Sequence, residues 1–545
     1  MRQVLIWTLV GLLLAACRAA PSTRPGLETP SQAPTSLPSP SAPGLTPRAE
    51  DIHFAEGADR WYPGGPDQLR ASVEAYLDQA QVQPIPGKIL GVVVPHAGYV
   101  YSGAVAGYAF RALRDTGCAD HTIIVIGDTH TGNGSAEVAV WAAGAFETPL
   151  GRLPVDEPVA QSLLAADPRF QYDREAFRSE HPVENQLPFL QIACPGAPIV
   201  PIVLREPSLE NARALAEALV RALGSRPAIL VASTDLSHYH PYEEAQQIDQ
   251  IALQAITSLN PQAVADSPRR CAELGLGGGQ PLTMCSPGAV MTALFAVQQM
   301  GADQATVLHY ATSGDVPLGD RNQVVGYGAV AFWRSNGQRV PASTPFPLPS
   351  SLPPNRPLSL SPAQQKELLA LARQTAAHFL ATQTFPPFET SDPALLQPLG
   401  AYVTYYAIDR ATGQRTLRGC LGRLEADRPA YLNIQYAAVV AALADPRFPP
   451  VTPDELDELL LEITLLQPMH PVSSPEQLRI GREGVLMRIG EKQGALFLPQ
   501  VPLQEGWDLS ATLLNLCRKA GLPDDCWQRP DARFYGFEGQ WFGEE

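Results

Sequence analysis

The sequence predicts an α/β fold with a largely parallel sheet over residues 50–335, followed by an α+β fold over residues 363–545. Three observations predict this division. The first segment alternates near-continuous apolar runs with helical patterns, as expected of strands buried on both faces and connected by helices. The second mixes strand-like and helical runs without regular alternation. Finally, prolines are about one residue in ten, 54 of 545. Each removes an amide donor and fixes φ, so they must gather where helices and sheets are not.

The first proline tract follows an N-terminal leader. Met1-Arg2 precedes an apolar run over residues 4–16 that ends in Leu14-Ala15-Ala16-Cys17. A basic start, a short apolar stretch and small residues before a cut site describe a secretory signal. Leu-Ala-Ala-Cys also resembles the bacterial lipobox, which implies a signal peptide of residues 1–16 and lipidation of Cys17; an ordinary signal peptide is the alternative. Residues 17–49 then read as a Pro/Ser-rich spacer, with eight prolines between 18 and 48. The expected location is extracytoplasmic, with the membrane reached only through a lipid anchor. A second tract, again with eight prolines between 341 and 362, marks a linker over residues 336–362.

Within the first domain, strands are expected at residues 88–95, 121–127, 198–204, 227–233 and 324–332. Helices are expected at 102–114, 209–223, 242–259 and 287–300. Polar chemistry follows the strands, where an α/β fold places its sites. His96 comes after the first strand and His130 after the second. Asp235 and His238 follow another, and His181 and Glu184 open a short helical run. A histidine alone is usually structural, but four in one set of loops favour a metal or acid–base site. Cys285 precedes the helix at 287–300, where amide donors favour a thiolate; a small buried residue or half a disulfide is the plainer reading.

The stretches PHAGYVYSGAVAGYAF, EHPVENQLPFLQ, STDLSHY and TSGDV…VVGYGAV, in that order, resemble the Memo family. The resemblance implies a fold like that of the LigB-like, class III non-heme iron extradiol dioxygenases. It implies metal ligation by His96, His130 and Cys285, with one iron or copper per chain, and an acid–base histidine at His238 with Asp235 orienting it. His181 joins them as a further catalytic candidate. The chain departs from the family pattern at Gly127-Asp128-Thr129-His130, where Gly-Pro-(Asn/Ser)-His is usual, and at Ser286, where glycine commonly follows the cysteine.

In the second domain, Leu417-Arg418-Gly419-Cys420-Leu421-Gly422 follows a strand-like run at 401–408. Glycines around a cysteine suggest tight backbone geometry and an exposed thiol, or simply a sharp turn with a packed sulfur. A helical stretch, DPRFPP at 445–450, a strand at 460–466 and FLPQV with a following Gly506-Trp507-Asp508 complete the pattern. These motifs resemble the AMMECR family, with Arg418, Gly419, Cys420 and Gly422 as its signature residues. The chain thus resembles proteins B and A of the AmmeMemoRadiSam system, fused in that order. That implies a radical-SAM protein as partner and an unidentified small-molecule substrate.

The net charge of −16 argues against long-range attraction to nucleic acid. The eight cysteines lack a C-x3-C-x2-C cluster motif, and no P-loop, dinucleotide glycine fingerprint, HExxH or G-x-S-x-G occurs. With Cys17 lipidated and Cys285 a ligand, six cysteines are left for disulfides, and spacing indicates no pairing. Two function classes follow: a mononuclear metal enzyme with dioxygenase-like or redox chemistry, and a non-catalytic metal-binding or scaffolding module. A hydrolase using Ser237 or Cys285 with His238 is weaker, because no nucleophile elbow is present.

Overall fold

The computed structural model describes residues 51–278, 282–336, 357–409, 412–490 and 493–544. The leader, Cys17, the spacer and linker residues 337–356 lie outside them. Among the described residues no helix is long and apolar enough to cross a membrane.

The first domain is built on a nine-stranded sheet. Its strands are β1 (Gly87–Val94), β2 (Thr122–Asp128), β3 (Val138–Val140), β4 (Phe170–Gln171), β5 (Ile199–Leu204), β6 (Ala228–Ser233), β7 (His238–His240), β8 (Gln304–Thr312) and β9 (Val324–Ser335). The spatial order is β7-β9-β1-β6-β2-β5-β3-β4, with β8 also paired to β9. Strands β1, β6, β2 and β5 run parallel; β9 pairs antiparallel with β1, and β3 with β5. The largely parallel sheet expected from sequence is therefore a parallel centre with antiparallel flanks. In β2, β5 and β6 every residue is buried, which explains their unbroken apolar runs.

The helices that matter for the site are α1 (Pro66–Gln79), α2 (Tyr99–Thr116), α3 (Glu157–Ala166), α4 (Leu187–Ala193), α5 (Leu209–Leu223), α6 (Tyr242–Thr257), α7 (Pro261–Glu273) and α8 (Pro287–Gln299). Caps stop and start them locally. Ser208 accepts the Asn211 amide ahead of α5, and Asn260 accepts the Gln262 amide ahead of α7. A disulfide, Cys118–Cys194, ties the end of α2 to the end of α4. One apolar core runs through this domain from Tyr62 to Trp333.

The second domain is an antiparallel sheet in the order β11-β10-β12-β16-β14-β15. Its strands are β10 (Gly400–Ile408), β11 (Arg415–Arg423), β12 (Leu460–Leu466), β13 (His470–Val472, paired with β16), β14 (Glu483–Ile489), β15 (Gln493–Phe497) and β16 (Ala532–Gly543). Helices α9 (Pro362–Thr382), α10 (Pro393–Leu396), α11 (Ala430–Leu443), α12 (Pro453–Leu456), α13 (Gln500–Gln504) and α14 (Leu509–Lys519) accompany it. Leu358 and Leu360, inside the expected linker, already pack in this second core.

The cysteine motif corrects the turn reading. Residues 417–422 lie within β11, and neither Gly419 nor Gly422 has positive φ. The glycines are there for close approach. A Cβ on Gly419 would stand 2.2 Å from the Ala441 carbonyl of α11, and one on Gly422 would stand 2.0 Å from the Ala401 carbonyl of β10. The register shifts between Tyr405 and Tyr406, leaving Arg418 as the extra residue of a β-bulge. The bulge sends Arg418 to a paired contact with Glu455, Nη2 to Oε2 at 2.9 Å. A second disulfide, Cys517–Cys526, closes α14 onto the following turn, while Cys271, Cys285 and Cys420 are free. Of the six cysteines left for pairing, only four are bonded to one another.

The domains touch through a loop of the first. The Pro317 carbonyl accepts from Arg428 Nη1 at 3.3 Å, and the Gly319 carbonyl accepts from Arg423 Nη1 at 3.0 Å. Ser72 of α1 also donates to the Thr382 carbonyl at the end of α9.

Candidate metal centre

Three adjacent parallel strands, β1, β6 and β2, end side by side and each passes into a loop carrying a polar residue. His96 follows β1, Asp235 and His238 follow β6, and His130 follows β2. This adjacency gathers residues far apart in the chain. Two groups of ligand atoms result, each within 4.8 Å: His96, His130 and His181, and His96, Asp235 and Cys285. His96 belongs to both. Its Nε2 lies 3.1 Å from Cys285 Sγ.

The protein dictates which nitrogen of each imidazole is free. Ser233 has one hydroxyl proton and gives it to the Pro182 carbonyl at 2.6 Å, since a carbonyl can only accept. Its oxygen then accepts from Gln186 Nε2 at 2.8 Å and from His96 Nδ1–H at 3.0 Å. The His96 proton therefore sits on Nδ1, and the Nε2 lone pair faces Cys285. His130 Nδ1 donates to the Asp128 carbonyl at 3.0 Å, and His238 Nδ1 to the Leu236 carbonyl at 2.9 Å. All three imidazoles thus leave Nε2 free, the arrangement that metal-ligating histidines use.

Asp235 does something other than orient His238. Its carboxylate accepts the backbone N–H of His96 at 2.7 Å and of Ala97 at 3.3 Å, holding the His96 loop. The hydrogen bond that fixes the His238 ring comes from the Leu236 carbonyl, while Asp235 acts on His238 through its charge. Cys285 Sγ accepts the Asp235 amide at 3.2 Å, and the Cys285 amide donates to the Asp235 carbonyl at 3.1 Å. His181 stacks on Trp61 with centroids 4.3 Å apart, and its ring is 5.1 Å from that of His96 and 4.8 Å from that of His130. Glu184 is not in either ligand group. It accepts the Gly57 amide at 2.7 Å and the Tyr62 hydroxyl, pinning the segment that carries Trp61.

Asp128 has a structural task. It is buried, and its oxygens accept the Gly288 and Ala289 amides at 2.8 and 2.9 Å, capping α8. The same residue thus joins the His130 loop to the helix that starts after Cys285. Burial pushes its carboxyl up to about 7, against the pull of the two amides. Ser286 accepts the Asp128 amide through its hydroxyl at 3.2 Å. Glu180 orders the same loop, accepting the His130 amide at 2.8 Å and the Thr131 amide at 2.7 Å.

Burial dominates the electrostatics of the centre. Burial lowers His96 far below the usual imidazole range, with His181 and His130 adding to the effect, and it lowers His181 to about 3. Both are neutral at physiological pH. Burial also raises Asp235, and it raises the Cys285 thiol, where the Asp235 charge acts in the same sense. Among the described residues no Lys or Arg forms an ion pair with Asp235. Neutral imidazoles and two reluctant anions around one point are what a bound cation would relieve.

Sequence reasoning located His96, His130, His181, Asp235, His238 and Cys285, and the structure brings the first four and Cys285 into the ligand groups. It missed Ser233, Gln186, Asn185, Asp128 and Glu180, which orient them. Asn185 Nδ2, for example, donates to the His96 carbonyl at 2.6 Å. The only sequence signal was an unusually polar run, Glu184-Asn185-Gln186, at the start of an apolar helix.

Comparison with known proteins bears on both domains. The Memo-like protein family model matches residues 54–331, and the AMMECR1 family model matches residues 369–542. A MEMO1 family protein of Methanopyrus kandleri is 36% identical over 287 residues, covering 51% of this chain and 97% of that protein. One from Sulfolobus acidocaldarius is 37% identical, covering 52% and 99%. The crystal structure of an uncharacterized protein from Pyrococcus horikoshii shares 34% identity with a TM-score of 0.32, over 34% of this chain and 92% of that one. With its first half matched by the family model and by relatives along nearly their whole length, the chain belongs to the Memo-like protein family, here with an AMMECR1 domain fused behind it.

Proposed function

We propose that the first domain holds one transition-metal ion, iron or copper, and uses it for redox chemistry of the dioxygenase-like kind on a small molecule. The observation that carries this reading is the set of imidazoles with protonated, anchored Nδ1 and free Nε2, closed by a half-buried thiol 3.1 Å from His96. Imidazole and thiolate together suit iron, copper and zinc, whereas a carboxylate and water set would suit magnesium or calcium. The residues present therefore fit the ion. His96, His130 and Cys285 would hold it, with His181 the alternative third imidazole. Such an ion supplies Lewis-acid or one-electron chemistry when bound.

The remaining roles belong to the protein. His238 Nε2, its Nδ1–H fixed by Leu236, takes the proton of a substrate hydroxyl. His181, flat against Trp61, stays neutral beside His96 and His130. Asp235 keeps the His96 peptide in place. The leader and Cys17 would put this chemistry outside the cytoplasm on a lipid anchor, and a radical-SAM protein is the proposed partner. Both of these rest on the sequence motifs and the family resemblance.

Metal analysis of the purified full-length chain tests the reading. About one iron or copper per chain is expected, with a thiolate-to-metal charge-transfer band. His96→Ala and Cys285→Ala should each lower occupancy below a tenth. Full occupancy in both variants overturns the ligand set, and zinc as the resident metal overturns the redox part. Oxygen uptake by the iron(II)-loaded protein with a panel of catechols then separates an enzyme from a metal-binding scaffold, which would show none.

A further inference from the structure

The second domain carries a polar site of its own, unconnected to the metal centre. In the sheet, Cys420 of β11 stands opposite Thr404 of β10, and Thr404 stands opposite Glu462 of β12. Directly opposed residues share a face, so the three form one row, with Tyr402 and Thr464 in the next row along. The other face of this sheet is apolar core, with Ala401, Val403, Tyr405, Leu461 and Ile463 packed in it.

The polar row has a built interior. Cys420 Sγ accepts from the Thr404 hydroxyl at 3.2 Å. Gln500, only 3% exposed, donates through Nε2 to Thr464 Oγ1 at 2.7 Å and to Glu462 Oε1 at 3.1 Å. Its Oε1 has no hydrogen-bond partner. Leu498 and Val501, two residues before and one after Gln500, pack in the same cluster as Tyr402 and Cys420, which puts the carboxamide over this face. A buried amide oxygen without a donor costs about 1–3 kcal/mol, and here a donor can arrive only from outside the chain or from water.

The rim is cationic. Lys519, at the end of α14, donates to the Leu496 carbonyl at 3.0 Å and forms no ion pair among the described residues. Leu496 packs in the cluster with Cys420 and Tyr402. Arg447 donates to the Cys420 carbonyl at 3.3 Å, though its charge is largely met by Asp445 at 2.6 Å. Burial holds the Cys420 thiol above its ordinary range, while the Thr404 hydroxyl, Arg447 and Lys519 pull it back down.

We propose that this face is a second small-molecule site, which takes a carboxylate-bearing electrophile, with Lys519 holding the carboxylate, Gln500 Oε1 receiving a donor of the ligand and Cys420 acting as nucleophile. The step balances simply. Cys420 Sγ forms a bond to the electrophilic carbon, the bond from that carbon to its leaving group breaks with its electron pair, and the thiol proton passes to water at the open rim.

Competing alkylation of the full-length chain by iodoacetate and iodoacetamide tests this, read at Cys420 by peptide mass spectrometry. The two probes differ only in charge, so their rate ratio is independent of how much thiolate is present. The ratio at Cys420 should fall by about fivefold in Lys519→Met, the factor expected for one lost charge contact of about 1 kcal/mol. Lys519→Arg should restore it, and the ratio at Cys285 should not change. An unchanged ratio in Lys519→Met overturns the proposal. So does a folded chain in which neither reagent reaches Cys420 although both modify it after unfolding.

Discussion

Each domain sets a free cysteine against polar partners, and the two do so with opposite backbone geometry. Cys285 lies in a loop just before α8, beside residues that arrive from three separate strand ends. Cys420 lies inside a strand, and its partners come from neighbouring strands at fixed register. Loops at strand ends can aim imidazoles inward from several directions, which suits a point-like ligand. A sheet row can only place side chains about 5 Å apart along a face, which suits an extended molecule. The supporting residues differ accordingly. In the first domain side-chain hydrogen bonds fix tautomers and loops; in the second, glycines let strand and helix backbones meet.

The largest effect should come from that backbone contact. Gly419→Ala would push a methyl against the Ala441 carbonyl, 2.2 Å away, and should destabilise the chain by about 3 kcal/mol in urea unfolding. A loss under about 1 kcal/mol would show that α11 can move away, and the contrast between rigid sheet and adaptable loops would weaken. Next comes the tautomer lock. Ser233→Ala removes the acceptor of His96 Nδ1–H and should weaken metal binding 10–100-fold in chelator competition, with both thiol and imidazole ligands still present. Unchanged affinity would show that His96 needs no such support.

The smallest effect separates the domains by acid. Burial lowers His181 to about 3 and His309, in β8, to about 4, so the unfolded state binds protons first as pH falls below 6.5. Stability contributed by these neutral histidines is present above pH 6.5 and is lost between there and their folded values. In the second domain Asp445 and Glu483 are lowered, so their stabilising charge persists until ordinary carboxylates protonate, while burial raises Glu462 and lowers His378. Between pH 7 and pH 5 each such histidine should cost the metal-free first domain about 1–2 kcal/mol. Asp128 and Asp249, raised by burial to about 7 and about 6, take up protons in the folded state and offset that loss. Asp128→Asn should therefore uncover an acid loss in the first domain larger than that in the second. Thermal scans at the two pH values, read by fluorescence and by proteolysis of each domain, check this. Equal losses in both domains would remove the distinction.

Much of the fold was legible because burial on both faces writes continuous apolar runs. The strands now numbered β1, β2, β5, β6 and β9 were found within a few residues, as was β12. The missed strands have no such signature. In β8 most residues are only partly buried, and β7 has three residues beside the site, held by pairing to β9. The tight backbone expected around Cys420 is present, but the turn reading failed for a related reason. Glycine in a sequence looks the same whether it serves a positive φ or a close approach, and only neighbouring chain segments decide which.

The sequence by itself determined two folded units, the strand ends that bear chemistry, and the residue types able to hold a metal. Those properties follow from local composition and spacing. Tertiary structure alone decided that Cys285 meets His96 across 189 residues of chain, that Ser233 fixes the free nitrogen of His96, and that Cys118 pairs with Cys194 while Cys420 stays free. It also decided that Gln500 is buried with an unanswered oxygen over the Cys420 face. The physical reason is the same in each case. A hydrogen bond, a ligand distance or a buried lone pair is a relation between segments, and no single segment carries the information about what will stand opposite it.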